Sequence, residues 1–163
     1  HPGYETMFRT AAELRQAVCP LIDPRHLPPL ASACRRYPDT PVIIDHLCRI
    51  GVAADRPHWL IEEADVLALC DMAQFPNVKV KVSAFYALGR KAAPYHDLAP
   101  MIGRVYDAFG PDRLMWASDS PYQVVDGHMY GDSLALVQEG LSFLSTGDRE
   151  KLLRDTAELF FFS

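Results

Sequence analysis

The sequence lacks most of the features that announce a specialised protein class. No apolar run approaches the length that crosses a bilayer. The N-terminal stretch His1-Pro2-Gly3-Tyr4 has neither a basic nor an apolar region of the secretory kind, so a cytoplasmic location is expected. Lysine and arginine number 16 against 21 aspartates and glutamates, for a net charge of -5. No segment concentrates the positive charge, so neither a nucleic acid nor a membrane is expected as a partner. The four cysteines, Cys19, Cys34, Cys48 and Cys70, form no CxxC pair. That spacing does not fit a structural zinc site, and a disulfide framework is not expected. Low-complexity segments and short repeats are also missing.

What remains is an ordinary globular composition. The 163 residues are 49% hydrophobic and 23% charged, enough for a single domain over 1–163 with an unstapled core. Cys34 and Cys70 read as small buried apolar residues. Cys19 and Cys48 fall at or just beyond predicted strand ends.

Short apolar strands alternate with amphipathic helices, the pattern of βα units around a parallel sheet. A helix over 3–16 precedes a strand at Ala17–Ile22. Asp23-Pro24 opens a helix with Leu27, Leu30, Cys34 and Tyr37 at helical spacing. The next strand is Val42–His46. A loop over 47–57 leads to a helix ending at Met72, with Leu60, Ala64, Leu67 and Asp71 on one line. Trp59, Val66, Leu69 and Cys70 widen its apolar content. Val78–Ser83 alternates strictly and is the clearest strand. Leu98, Met101, Ile102, Val105 and Phe109 share a face of the helix that follows. Arg113–Asp119 is the last strand, and two helices with Leu134, Val137, Leu141, Leu144 and then Leu152, Leu153, Ala157, Phe160 close the chain. Four βα units amount to half of a (β/α)8 barrel, which takes roughly 250 residues when complete.

Parallel α/β folds bind ligands at the C-terminal ends of their strands. The residues to weigh are therefore Pro20 to Ile22, Asp45 and His46, Ser83 with nearby Tyr86, and Ser118 and Asp119. An isolated His46 is more often a hydrogen-bonded core or loop histidine. Asp119 before Ser120-Pro121 is more often a turn residue.

Four blocks change that balance. Val42-Ile43-Ile44-Asp45-His46-Leu47 is similar to the "VxxDHxG" sixth strand of the amidohydrolase-related (amidohydrolase 2) metal-dependent hydrolases. Phe75 to Ser83 resembles their "xPNVxxKxSG" seventh strand. Phe109 to Pro121 resembles the "FGxDRxxxGSDxP" eighth strand, and Leu152 to Phe160 the terminal "NAxxLF" helix. The blocks keep the family's order and spacing and cover most of the chain.

The resemblance implies a TIM barrel of which this chain carries strands five to eight. It implies a hydrolase of a small lactone or ester-type carbonyl substrate, with a metal-dependent decarboxylase on the same scaffold as the alternative. By position, His46 and Asp119 are the implied catalytic pair, and Asp119 is the implied metal ligand where a metal is bound. Such a cofactor would be one divalent ion such as zinc, or none, because the fifth-strand histidine is missing and Cys19-Pro20-Leu21-Ile22 stands in its place. Gly of the sixth-strand pattern is Cys48 here.

Arg49, Tyr86 and Tyr122 stand just past strand ends and suit a carboxylated small-molecule substrate. Loop packing accounts for them equally well. Lys81, between valines, reads as structural, with a carboxylate partner drawn from the barrel interior. His26 reads as a surface or capping residue. His58, His96 and His128 are assigned no role, His128 being the nearest to a candidate. The third alternative is a non-catalytic half-barrel fragment, completed by a homodimer or by a missing N-terminal half.

Overall fold

The computed structural model describes residues 2–52 and 60–162. His58 and Trp59 lie outside these residues. The sheet has three parallel strands, β1 (Val42–Ile44), β2 (Val78–Ser83) and β3 (Leu114–Ala117), in that order. Register places Ile44 beside Val80 and Val80 beside Leu114. Alternation sends Val42, Ile44, Val78, Val80, Val82 and Leu114 into one buried cluster, with Trp116 against it. Ile43, Lys79, Lys81 and Met115 occupy the opposite face.

The sequence predicts four strands, and three form among the described residues. The segment 17–22 joins the sheet through a single parallel bridge between Val18 and Val42. Val18 donates to the Pro41 carbonyl at 2.9 Å and accepts from Ile43 at 3.0 Å. The next donor in that ladder would be residue 20. Pro20 has no N–H, so the pairing stops, and only its carbonyl takes part, accepting from Asp45 at 3.2 Å.

The helices are α1 (Pro2–Glu13), α2 (Leu27–Arg36), α3 (Glu63–Asp71), α4 (Ala99–Phe109), α5 (Tyr130–Ala135), α6 (Thr146–Glu150) and α7 (Thr156–Phe162). α2 buries Leu27, Leu30 and Cys34, and α4 buries Met101, Ile102, Val105 and Phe109, as their spacing predicts. α3 differs. It buries Val66 and Leu69, while Leu67 of the predicted line is 45% exposed. Its core face follows the i, i+3 pair that meets the cluster shared with α4. No described helix is long and apolar enough to cross a membrane.

Two side chains tie the lower end of the sheet together. Gly110, at φ 71, ends α4. Arg113 then donates to the Phe109 carbonyl at 2.9 Å, the Ala73 carbonyl at 2.9 Å and the Phe75 carbonyl at 3.2 Å. It also lies over the Phe109 ring, 5.0 Å from its centre. Thr156 donates to the Pro111 carbonyl at 3.1 Å and so anchors α7 to the start of β3.

The Arg113 fork reaches three carbonyls from two different turns, which an ammonium on a flexible stem does not reproduce. Arg113→Ala is expected to lower unfolding stability by about 2 kcal/mol. Arg113→Lys is expected to recover less than half of that loss. Urea unfolding of the three proteins side by side checks both.

Candidate active site

Each strand is followed within two residues by a left-handed residue. After β1, His46, Leu47, Cys48 and Arg49 have φ of 51, 49, 56 and 54. After β2, Ala84 has φ 58, and after β3, Asp119 has φ 55. Side chains resist this region by roughly 1–2 kcal/mol per residue. Alternation pairs Ile44 with His46 on one face, but Ile44 belongs to the helix-facing cluster. The left-handed turn, not the strand's alternation, carries His46 into the site. The left-handed His46 and Asp119 go with a β1 that ends at Ile44 and a β3 that ends at Ala117, each short of its predicted end.

These turns bring His46 and Asp119 together. His46 Nε2 stands 3.5 Å from Asp119 Oδ1. His46 Nδ1 shares a 2.8 Å hydrogen bond with Ser83 Oγ, and Ser83 is fully buried. Tyr86 donates its phenol proton to Asp119 Oδ2 at 2.7 Å. Burial pushes the Tyr86 phenol well above its usual range, and the Asp119 carboxylate pushes it further, so the phenol remains a donor at neutral pH. The 3.5 Å gap exceeds a charge-assisted hydrogen bond. Side-chain exposures of 17% and 21% leave both residues open to a small molecule.

The other predicted residues lie apart from this pair or play different parts. Lys81 meets Asp45 of the same chain at 2.7 Å, so its carboxylate comes from β1's end and not from elsewhere. Arg49 faces Asp23 at 3.5 Å. Both line a groove of about 690 Å³ beside α1, α2 and the 18–23 segment, which includes neither His46 nor Asp119. Tyr122 is 62% exposed in the turn after Asp119. His26 accepts from the Asp23 N–H at 3.4 Å, the capping part predicted for it. Cys48 is buried, and burial pushes its thiol up to about 12. Cys19 is exposed, but partial burial raises its thiol too, with Lys81 opposing and Asp45 adding to the shift. Neither is a ready thiolate.

Sequence reasoning gave no partner to His128. Its Nδ1 shares a 2.8 Å hydrogen bond with Tyr95, which is buried at 1% exposure. The Tyr86 ring lies 5.8 Å from the His128 ring. Buried Gln123 bonds the Tyr95 hydroxyl and the Met129 carbonyl, both at 3.4 Å. These links fasten the loop after Asp119, and no spacing in the sequence announces them.

A metal is tested by the donor set. No group of three or more His, Cys, Asp or Glu side chains placed to hold a metal occurs among the described residues. His46 Nε2 and Asp119 Oδ1 make two donors, whereas a catalytic zinc takes three protein ligands. The described residues alone do not fit a metal centre.

Comparison with known proteins gives a consistent picture. The chain is 37% identical over 124 residues to L-fucono-1,5-lactonase of Burkholderia ambifaria, covering 73% of this chain and 40% of that protein. It is 31% identical over 84 residues to 4-sulfomuconolactone hydrolase of Rhizobium radiobacter, covering 52% of this chain and 26% of that one. A crystal structure of a zinc-bound amidohydrolase from Burkholderia multivorans superposes with a TM-score of 0.74 at 26% identity, covering 93% of this chain and 55% of that one. The chain thus spans about half or less of the length of these relatives. Residues 1–162 match the amidohydrolase family, and the chain belongs to it.

Proposed function

We propose that this chain forms the strand-five-to-eight half of an amidohydrolase barrel whose whole hydrolyses a small lactone. The observation that carries the proposal is the convergence of His46 and Asp119 from the ends of the two strands that flank β2, with Asp119 Oδ1 turned toward the imidazole. Two relatives are named for lactone hydrolysis, which supports a cyclic ester as the substrate class.

The chemistry follows from the groups present. A water attacks the lactone carbonyl carbon, and Asp119 takes its proton as general base. With Ser83 donating to Nδ1, His46 carries hydrogen on Nε2 and directs it at the carbonyl oxygen, where negative charge develops. The ring C–O bond then breaks. The departing alkoxide takes a proton back from the Asp119 carboxyl, directly or through His46. Lactone and water give one hydroxy acid, and the site returns to its starting protonation. Arg49 and Tyr122 are proposed to meet the substrate's polar groups from the rim. A zinc ion, as in the Burkholderia multivorans structure, would need ligands beyond His46 and Asp119.

The remaining barrel comes from the missing N-terminal half or from a second copy of the chain. The open edge at Val18 and the groove beside it support this, since a further βα unit would pack there.

Asp119→Asn keeps the Oδ1 geometry and removes the base. It is expected to lower lactone hydrolysis by at least about a hundredfold, with thermal unfolding unchanged. Full turnover by a well-folded variant would remove Asp119 from the mechanism. Where a second copy completes the barrel, native mass spectrometry of the purified 18.3 kDa chain shows two chains. A monomer would rule out completion by a second copy.

A further inference from the structure

We infer that Tyr86 is a positioning residue for Asp119: its phenol holds Oδ2 and so assigns Oδ1, the oxygen facing His46, to the reaction. The inference rests on the proposed role of Asp119 as base. Its ground is an asymmetry in the carboxylate. Oδ2 receives a hydrogen bond at 2.7 Å from Tyr86, while Oδ1 stands 3.5 Å from His46 Nε2. A phenol has one hydrogen to donate. Tyr86 must release Asp119 before it donates to a substrate.

The surrounding structure opposes that release. Ser83, the last residue of β2, and Tyr86 belong to one four-residue stretch, with left-handed Ala84 between them. Ser83 holds His46 and Tyr86 holds Asp119, so a single turn sets both partners. Behind Tyr86, the His128 ring lies 5.8 Å away and is fixed by buried Tyr95. Phe85, also buried, lies against Tyr95 with ring centres 6.1 Å apart. The β2 turn is thus braced against the loop that follows Asp119.

The titratable groups facing Asp119 and Tyr86 are His46 from the β1 turn and Tyr122 and His128 from the β3 loop.

The test uses the full natural chain with a 1,5-aldonolactone as probe. Tyr86→Phe is expected to lower kcat by roughly 10- to 100-fold, the effect of one charge-assisted hydrogen bond. KM is expected to stay within about twofold, because uniform binding is untouched. A rise in KM with kcat unchanged would make Tyr86 a substrate ligand and overturn the inference.

A second measurement needs no turnover. With tyrosines labelled at Cζ, the Tyr86 resonance at neutral pH is expected to shift between the parent and Asp119→Asn, whose amide accepts more weakly than a carboxylate. Identical shifts in the two proteins would show that the phenol and the carboxylate are not coupled, and would sink the inference. If the labelled resonance shifts as expected while the parent hydrolyses no lactone, the substrate proposal fails and the Tyr86–Asp119 coupling stands.

Discussion

The valine face of β2 fixes the height of everything at the strand ends. Val78, Val80 and Val82 are fully buried between β1 and β3, and Lys79 and Lys81 take the other face. A one-residue slip would drive both ammonium groups into the apolar cluster, at a cost far above any gain from pairing. A two-residue slip keeps the parity but moves Ser83 by about 7 Å along the strand. That displacement would break the 2.8 Å contact with His46 and carry Tyr86 away from Asp119. The alternation that makes the strand therefore also places the turn that orders the site.

The turns themselves carry strain, and they carry it where the reacting groups are. His46, Ala84 and Asp119 all sit in the left-handed region. Non-glycine residues hold it only when surrounding contacts over-determine the backbone. Here those contacts are the hydrogen bonds joining His46 to Ser83 and Tyr86 to Asp119, together with the buried apolar residues Leu47, Phe85 and Leu88 around the turns. The backbone bends sharply at three neighbouring strand ends so that side chains from different strands meet over one small space.

Much of this was legible in the sequence, for reasons that can be named. The strict Val–Lys alternation gives β2 its full length, and the Met101, Ile102, Val105 and Phe109 spacing gives α4 its buried face. The order of the motif blocks points to His46 and Asp119, which the fold brings within 3.5 Å. What was not legible depends on backbone detail or on distant partners. Pro20 denies the fourth strand its ladder although the segment reads as apolar. Two positions that are glycine in the related motifs, Cys48 and Ala84, adopt φ 56 and φ 58. Those glycines were a signal of left-handed turns, and it was missed because neither residue here is glycine. The pairing of His128 with Tyr95 spans 33 residues and has no local periodicity to betray it.

Two carboxylates stand at the strand ends, and their partners divide the work between them. Asp45 follows β1 directly and is matched by the Lys81 ammonium at 2.7 Å. An ammonium at that distance offsets the carboxylate's charge. Asp119 receives instead a neutral phenol on one oxygen and faces an imidazole from the other. A neutral donor orients a carboxylate without cancelling it. Asp45 is thereby committed to holding β1 against β2, beneath the site. Asp119 retains an oxygen for a proton, and the same contacts that hold it in place decide which oxygen that is.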